Sequence, residues 1–301
     1  MPTSKRRPSY LRLILMNDRS KTVQSRFLLG AFVCAVLLIV NYFAFVHTPW
    51  GHQFDNDALL GRKTLDRKII TIDSHILNLV RKRTLFPAVV VILAIAVMRR
   101  CTSVGVIAVA AFGCAVVGAE VLKHLLPWHV LVPNDAMLDS GFQANTYPSG
   151  HTTAVTSLAL SLLLVSPSRW RPWLAIAGGC ISATFATGVL VVGWHRPSDA
   201  LGALAWSGLC MSVAATLVIR LQGRQKLAYA FANRAAFDCI ALGILVAAAT
   251  WMFSAAAAPR YPSTGLPFFV LTGFIIAGAF SLIAWYGGEL RAADRLANSI
   301  A

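Results

Sequence analysis

The chain has 301 residues, 57% of them hydrophobic and only 13% charged. A soluble domain of this length could bury so much apolar surface only in an abnormal core, so lipid is the fitting solvent. Lys and Arg total 27 against 12 Asp and Glu, a net charge of +15. The basic residues gather in the gaps between apolar runs, and no basic patch is interleaved with aromatics on a soluble module. This speaks against nucleic acid as a partner and for membrane topology and contact with anionic lipid headgroups.

In chain order, residues 1–26 form a basic tail. The apolar run 27–46 is long and lacks a small-residue cleavage site, so it reads as a retained first span rather than a signal peptide. Residues 51–83 carry both charges. Within them Leu65, Ile69, Ile72, Ile76 and Val80 recur at helical spacing. Two readings fit this segment: an amphipathic helix on the outer membrane surface, or a packed cap over the spans. Further spans are expected over 85–98, 103–126, 151–165, 173–193, 197–219, 237–255 and 266–286. The fold class is therefore all-α, a polytopic membrane helix bundle. A six-span core over 27–220 is followed, within 221–301, by two additional spans without polar chemistry of their own. The six cysteines form no CxxC pair and read as small packing residues.

Orientation follows from Lys and Arg in short loops. Placing the basic tail in the cytoplasm also puts Arg99, Arg100, Arg169, Arg171, Arg220 and Arg291 there. The loop over 127–150 has neither Lys nor Arg. Both termini are thus expected in the cytoplasm.

Ionisable residues at membrane depth are costly, and each needs a reason. Three groups fall on the same, non-cytoplasmic side. Lys123 lies near the end of the third span, where it could bind an anion or simply pair with Glu120 one turn back. Tyr147-Pro148-Ser149-Gly150-His151 opens the fourth span. Free amides at a helix start favour an anion, and Gly150 permits close approach, although Ser149 could be an ordinary N-cap. Trp194-His195-Arg196-Pro197-Ser198-Asp199 opens the sixth span. Asp199 lies four residues after His195, within reach of one imidazole nitrogen, which leaves the other as nucleophile or base. The plainer reading there is a carboxylate complementing the helix dipole and a histidine at the interface. No cluster of carboxylates, cysteines or histidines with metal-ligand spacing is present in the outer loops, so no metal or other cofactor is expected.

Together these groups resemble the type 2 phosphatidic acid phosphatase superfamily, whose relatives include vanadium haloperoxidases. Pro148-Ser149-Gly150-His151 matches its second motif in full. His195 and Asp199, with Pro197-Ser198-Asp199-Ala200-Leu201-Gly202 around them, match its third, and Lys123 its first. The resemblance covers roughly 103–219. It implies that His195 attacks phosphorus to form a phosphohistidine, that Asp199 orients it, and that His151 protonates the departing alkoxide and then activates an acceptor. Lys123 and the Ser149 and Gly150 amides would bind phosphoryl oxygens. The implied substrate is a phosphorylated membrane lipid, such as a polyprenyl phosphate or pyrophosphate or a phosphatidate-like lipid. The site would face the periplasm or exterior.

Two departures stand out. The third-motif arginine falls at Val189, preceded by Gly188, and the first-motif Arg-Pro falls near Val130-Leu131. A preorganised donor to a developing oxyanion is worth about 3–4 kcal/mol, so three expectations compete. Arg196, aided by His124 or His129, replaces part of the phosphate clamp, although an arginine there can also snorkel to headgroups. Alternatively the substrate is a phosphodiester with one negative charge, as in lipid headgroup transferases such as sphingomyelin synthases. Or the chain is a non-catalytic lipid-binding protein. A Ser149-His151-Asp199 hydrolase lacks a GxSxG elbow. A transporter would gather its ionisable groups at the bilayer midplane instead of one face.

Overall fold

The computed structural model describes residues 10–80, 82–132, 135, 145–222 and 265–298. Among these residues there are helices and no strands: α1 (Tyr10–Val46), α2 (Pro49–Gly61), a 3-10 turn (Arg62–Thr64), α3 (Arg67–Leu77), α4 (Lys82–Met98), α5 (Thr102–Leu125), α6 (Gly150–Val165), α7 (Arg171–Val192), α8 (Pro197–Gln222) and α9 (Gly265–Asn298). In hydrocarbon every backbone group must be satisfied within its own segment, which is why apolar runs fold as helices. Five helices have stretches long and apolar enough to cross a membrane: Val23–Val46, Thr102–Leu125, Arg171–Val192, Pro197–Leu221 and Gly265–Arg291. The expected spans over 85–98 and 151–165 correspond to the shorter apolar helices α4 and α6. The expected span 237–255 lies outside the described residues.

Local chemistry sets the helix ends. Thr48 caps α2, accepting from the Gly51 amide at 3.0 Å, with Pro49 in the first turn. Asp66 caps α3 through the Lys68 amide at 2.8 Å. α7 stops at Gly193, whose φ of +82° is the left-handed conformation that favours glycine. α6 has 16 residues, about 24 Å of helix against a hydrocarbon thickness of about 30 Å. Its N-terminus is therefore recessed from the membrane surface when its other end reaches the opposite face.

The main core joins Phe27, Ala108, Leu160, Leu163, Met211, Ile283 and Tyr286. α9 lies within this core. It packs closely on α7 because Gly179 has no side chain: a Cβ there would lie 2.7 Å from the Phe280 ring. The Tyr286 hydroxyl donates to the Met211 carbonyl at 3.1 Å. Buried Arg171 crosses from α7 to donate to the carbonyls of Leu163 at 3.0 Å and Leu290 at 2.8 Å.

Of the two readings for residues 51–83, α2 and the end of α3 pack as a cap, while Ile69 and Ile72 of α3 stay exposed, as the surface-helix reading has them. Leu59 of α2 and Leu77 of α3 are buried in one cluster with Val155, Phe185, Val189 and Leu190 of α6 and α7. His52, Asp55 and Asn56 are buried as well. A carboxylate and an imidazole turned inward from a cap require partners below, and those partners belong to the site.

Candidate active site

The motif groups meet at one end of the bundle. Ser149 opens α6 as its N-cap, with Oγ 3.5 Å from the Thr152 amide. Its own amide donates to the Asp199 carbonyl at 2.9 Å, which ties the start of α6 to the first turn of α8. This arrangement leaves the Gly150 and His151 amides at the helix start, the natural anion-facing positions. Lys123 pairs with Glu120 at 2.8 Å, as the local spacing allows. The pair nonetheless sits against the start of α6: a Cβ on Gly150 would lie 2.8 Å from Glu120 Oε1 and 3.4 Å from Lys123 Nζ. A side chain on Gly150 would displace these two flexible chain ends.

His195 is buried, and its Nδ1 lies 3.1 Å from Asp199 Oδ2. The same carboxylate oxygen accepts from Thr146 Oγ1 at 2.6 Å and from the Arg196 amide at 3.0 Å. Three donors on one oxygen hold the carboxylate rigidly. They favour the tautomer in which His195 donates from Nδ1 and presents a lone pair on Nε2. His151 packs at a tilt against Trp194, the residue before His195, with ring centroids 5.3 Å apart and planes 47° apart. It also lies within electrostatic reach of His195, Lys123 and Glu120. The structure therefore brings Lys123, Ser149, Gly150, His151, His195 and Asp199 to one place. A carboxylate-backed imidazole, a second imidazole and an anion-favouring helix start are the parts needed for phosphoryl transfer through a histidine.

Arg196 is buried and points elsewhere. Its Nη2 donates to both oxygens of Asp135, at 2.5 and 2.6 Å, and its guanidinium lies 5.7 Å over the Trp128 ring. Asp135 also meets His52 Nε2 of the cap at 3.0 Å. Among the described residues Arg196 Nε has no hydrogen-bond partner.

A model of the PAP2 superfamily, that of the type 2 phosphatidic acid phosphatases, matches residues 29–223, well over half of the chain. The chain belongs to the PAP2 superfamily. No curated protein and no solved structure is significantly similar to it.

For a PAP2 member, one of the two positions that lack arginine has a visible structural use. Val189 is fully buried, and its carbonyl accepts from the Trp194 and His195 amides at 2.9 and 3.2 Å, closing the end of α7. Gly188 faces the cap: a Cβ there would lie 3.3 Å from Leu77. Val130 is exposed.

Several polar residues around this PAP2 site carry no motif signal. Asp55 of α2 accepts from the Ser198 amide at 3.0 Å and from the Ser198 hydroxyl. Burial pushes its carboxyl up to about 7, opposed by the nearby Arg196 charge and by the Ser198 hydroxyl. Asn41 of α1 donates to the Ser198 carbonyl at 2.9 Å. Tyr147 donates to the Leu38 carbonyl at 2.8 Å. Its ring fills the space over Gly202, where a Cβ would meet it at 2.4 Å. Arg62, in the 3-10 turn, covers Gly193. Polar residues at i and i+3 within an apolar cap, as His52 and Asp55 are, form the one sequence signal that could have marked α2.

Proposed function

We propose that this membrane phosphatase-type protein is a metal-independent lipid phosphate phosphatase or phosphotransferase that works through a phosphohistidine on His195. The observation that carries the reading is the His195–Asp199 contact of 3.1 Å, with Thr146 and the Arg196 amide on the same oxygen. His195 Nε2 attacks phosphorus as the bond to the lipid alkoxide breaks. His151 gives that alkoxide its proton. The neutral histidine then takes a proton from water, or from a second alcohol, whose oxygen attacks phosphorus and breaks the P–N bond. Asp199 holds the ring and offsets the positive charge that it gains while phosphorylated. Lys123 and the Gly150 and His151 amides bind phosphoryl oxygens; the Ser149 amide is taken by the Asp199 carbonyl, and the Arg196 guanidinium by Asp135.

A lipid substrate is supported by an apolar cavity of about 630 Å³ between α1, α8 and α9, with Leu29, Val33, Leu37, Leu201, Leu204 and Trp285 among its walls. The substrate class is a polyprenyl phosphate or pyrophosphate or a phosphatidate-like lipid, presented from the periplasmic or exterior leaflet. Metal independence is supported by the donor set: among the described residues no three His, Cys, Asp or Glu side chains group as metal ligands. A second reading, phosphodiester headgroup transfer between lipids, is favoured by charge alone. Lys123 and Arg196 are each already paired with a carboxylate, which suits a monoanionic group.

The test is to supply lipid substrate carrying labelled phosphate, quench, and map acid-labile label. Label on His195 and its loss in His195→Ala are expected. Label on His151, or label retained by His195→Ala, overturns the assignment.

A further inference from the structure

The site as built is short of positive charge. Lys123 is balanced by Glu120 and Arg196 by Asp135, and Asp199 is a buried carboxylate. Bringing one or two more negative charges into this recessed end is costly unless another cation meets them. The two sequence positions that resemblance would fill with arginine hold Val189 and Val130.

One further guanidinium lies at the same end. Arg62 sits where α2 passes into the 3-10 turn, half-buried. A Cβ on Gly193 would lie 2.4 Å from Arg62 Cζ, 2.5 Å from Nε and 2.8 Å from Nη2. The planar fork is therefore laid on the bare Gly193 backbone, one residue from Trp194 and two from His195. Its hydrogen bond there is a long one, Nη1 to the Val192 carbonyl at 3.4 Å. Among the described residues no carboxylate pairs with it. An arginine stays protonated in such a setting, and its fork matches two phosphoryl oxygens at once.

We propose that Arg62 of the cap is a phosphoryl-binding cation of this site beside Lys123, reaching the substrate across Gly193 in place of the absent motif arginines. The inference rests on the phosphatase reading and names the group that completes it. The local packing explains the exchange. Leu77 of the cap lies over Gly188, beside the position the motif arginine would occupy, so the cap that closes over this spot brings its own arginine. Gly193 serves twice: its positive φ turns the chain out of α7, and its missing side chain leaves the slot in which the guanidinium lies.

The experiment uses purified full-length protein with Arg62→Ala, Arg62→Lys and Arg62→Gln, a short-chain phosphatidate in detergent micelles as substrate, and inorganic phosphate as ligand. Arg62→Ala is expected to lose on the order of 100-fold or more in kcat/KM, and Arg62→Lys at least about 10-fold, because a point charge does not replace a fork. Millimolar ethylguanidinium should restore part of the Arg62→Ala rate, which a merely structural role would not allow. Inorganic phosphate should raise the unfolding temperature of wild type and leave that of Arg62→Gln unmoved. If His195→Ala is inactive while all three Arg62 variants stay within threefold of wild type, Arg62 is not such a cation and the phosphatase reading stands. If wild type and His195→Ala release phosphate equally, the phosphatase reading fails. The binding arm still decides Arg62: equal stabilisation of wild type and Arg62→Gln by inorganic phosphate overturns it.

Discussion

Replacing Asp199 by Asn preserves volume and removes only the charge, so it isolates what the carboxylate does. Oδ2 of Asp199 takes three donors, His195 Nδ1 at 3.1 Å, Thr146 Oγ1 at 2.6 Å and the Arg196 amide at 3.0 Å, and the residue is 2% exposed. When His195 Nε2 bonds to phosphorus, the ring becomes cationic. A unit charge pair at that separation is worth about 5 kcal/mol at an effective dielectric of about 20. Exchanging one charge-assisted hydrogen bond for a neutral one sets a lower limit near about 2 kcal/mol. The expected loss in kcat is therefore roughly 30- to 5,000-fold. KM should change far less, because Asp199 does not touch the substrate. The assay is single-turnover phosphate release from a labelled lipid monoester, with the thermal unfolding midpoint as a check on folding. An Asp199→Asn protein that is folded and turns over within threefold of wild type would show that His195 needs no carboxylate, and the nucleophile assignment would fall.

Three further outcomes are expected. Activity should survive exhaustive EDTA treatment; loss on chelation and recovery with Mg²⁺ or Zn²⁺ would contradict the metal-independent reading. Arg196→Ala removes the guanidinium from the buried Asp135 carboxylate, which keeps His52, and should cost about 3 kcal/mol in stability; adding Asp135→Asn should recover part of that loss, and a double variant as unstable as the sum of the singles would deny the pairing. Asp55 holds its proton up to about pH 7 when folded and only to about 3.9 when unfolded. Its contribution to stability is thus fully present below about pH 4 and is lost as pH rises to about 7. Unfolding midpoints of wild type should fall across that window, and those of Asp55→Asn should fall less; parallel curves would refute the assignment.

The spans and the motif face were legible because both are encoded locally. An apolar run of sufficient length is a helix wherever it lies, and Pro148-Ser149-Gly150-His151 carries its helix start with it. The His195–Asp199 contact follows from a four-residue spacing across a helix start. What could not be read was whatever depends on a long-range partner. Lys123 is adjacent to Glu120 in sequence, but that the pair abuts Gly150 depends on how α5 meets α6. Arg196 lies beside His195, yet its guanidinium turns to Asp135, a residue 61 positions away in a stretch with no periodicity to place it. The cap was ambiguous for a similar reason. Its apolar spacing fits a membrane surface and a protein surface equally well, and the structure divides it: Leu59 and Leu77 are buried, while Ile69 and Ile72 are exposed.

The cap also changes how the site should be divided. His52, Asp55, Leu59 and Arg62 are spaced by three, four and three residues, which places them along one side of α2 and its continuation. Each meets a different part of the bundle end: His52 reaches Asp135 behind Arg196, Asp55 holds Ser198 at the start of α8, Leu59 enters the apolar cluster with Val189 and Leu190, and Arg62 covers Gly193. A surface helix floating on lipid would have no reason to turn a carboxylate, an imidazole and a guanidinium toward the bundle. Buried polar groups of this kind are costly when unmatched and rigid when matched. The helix that follows the first span therefore acts as a wall of the candidate site, and the turn around His195 takes its shape from both sides of the chain.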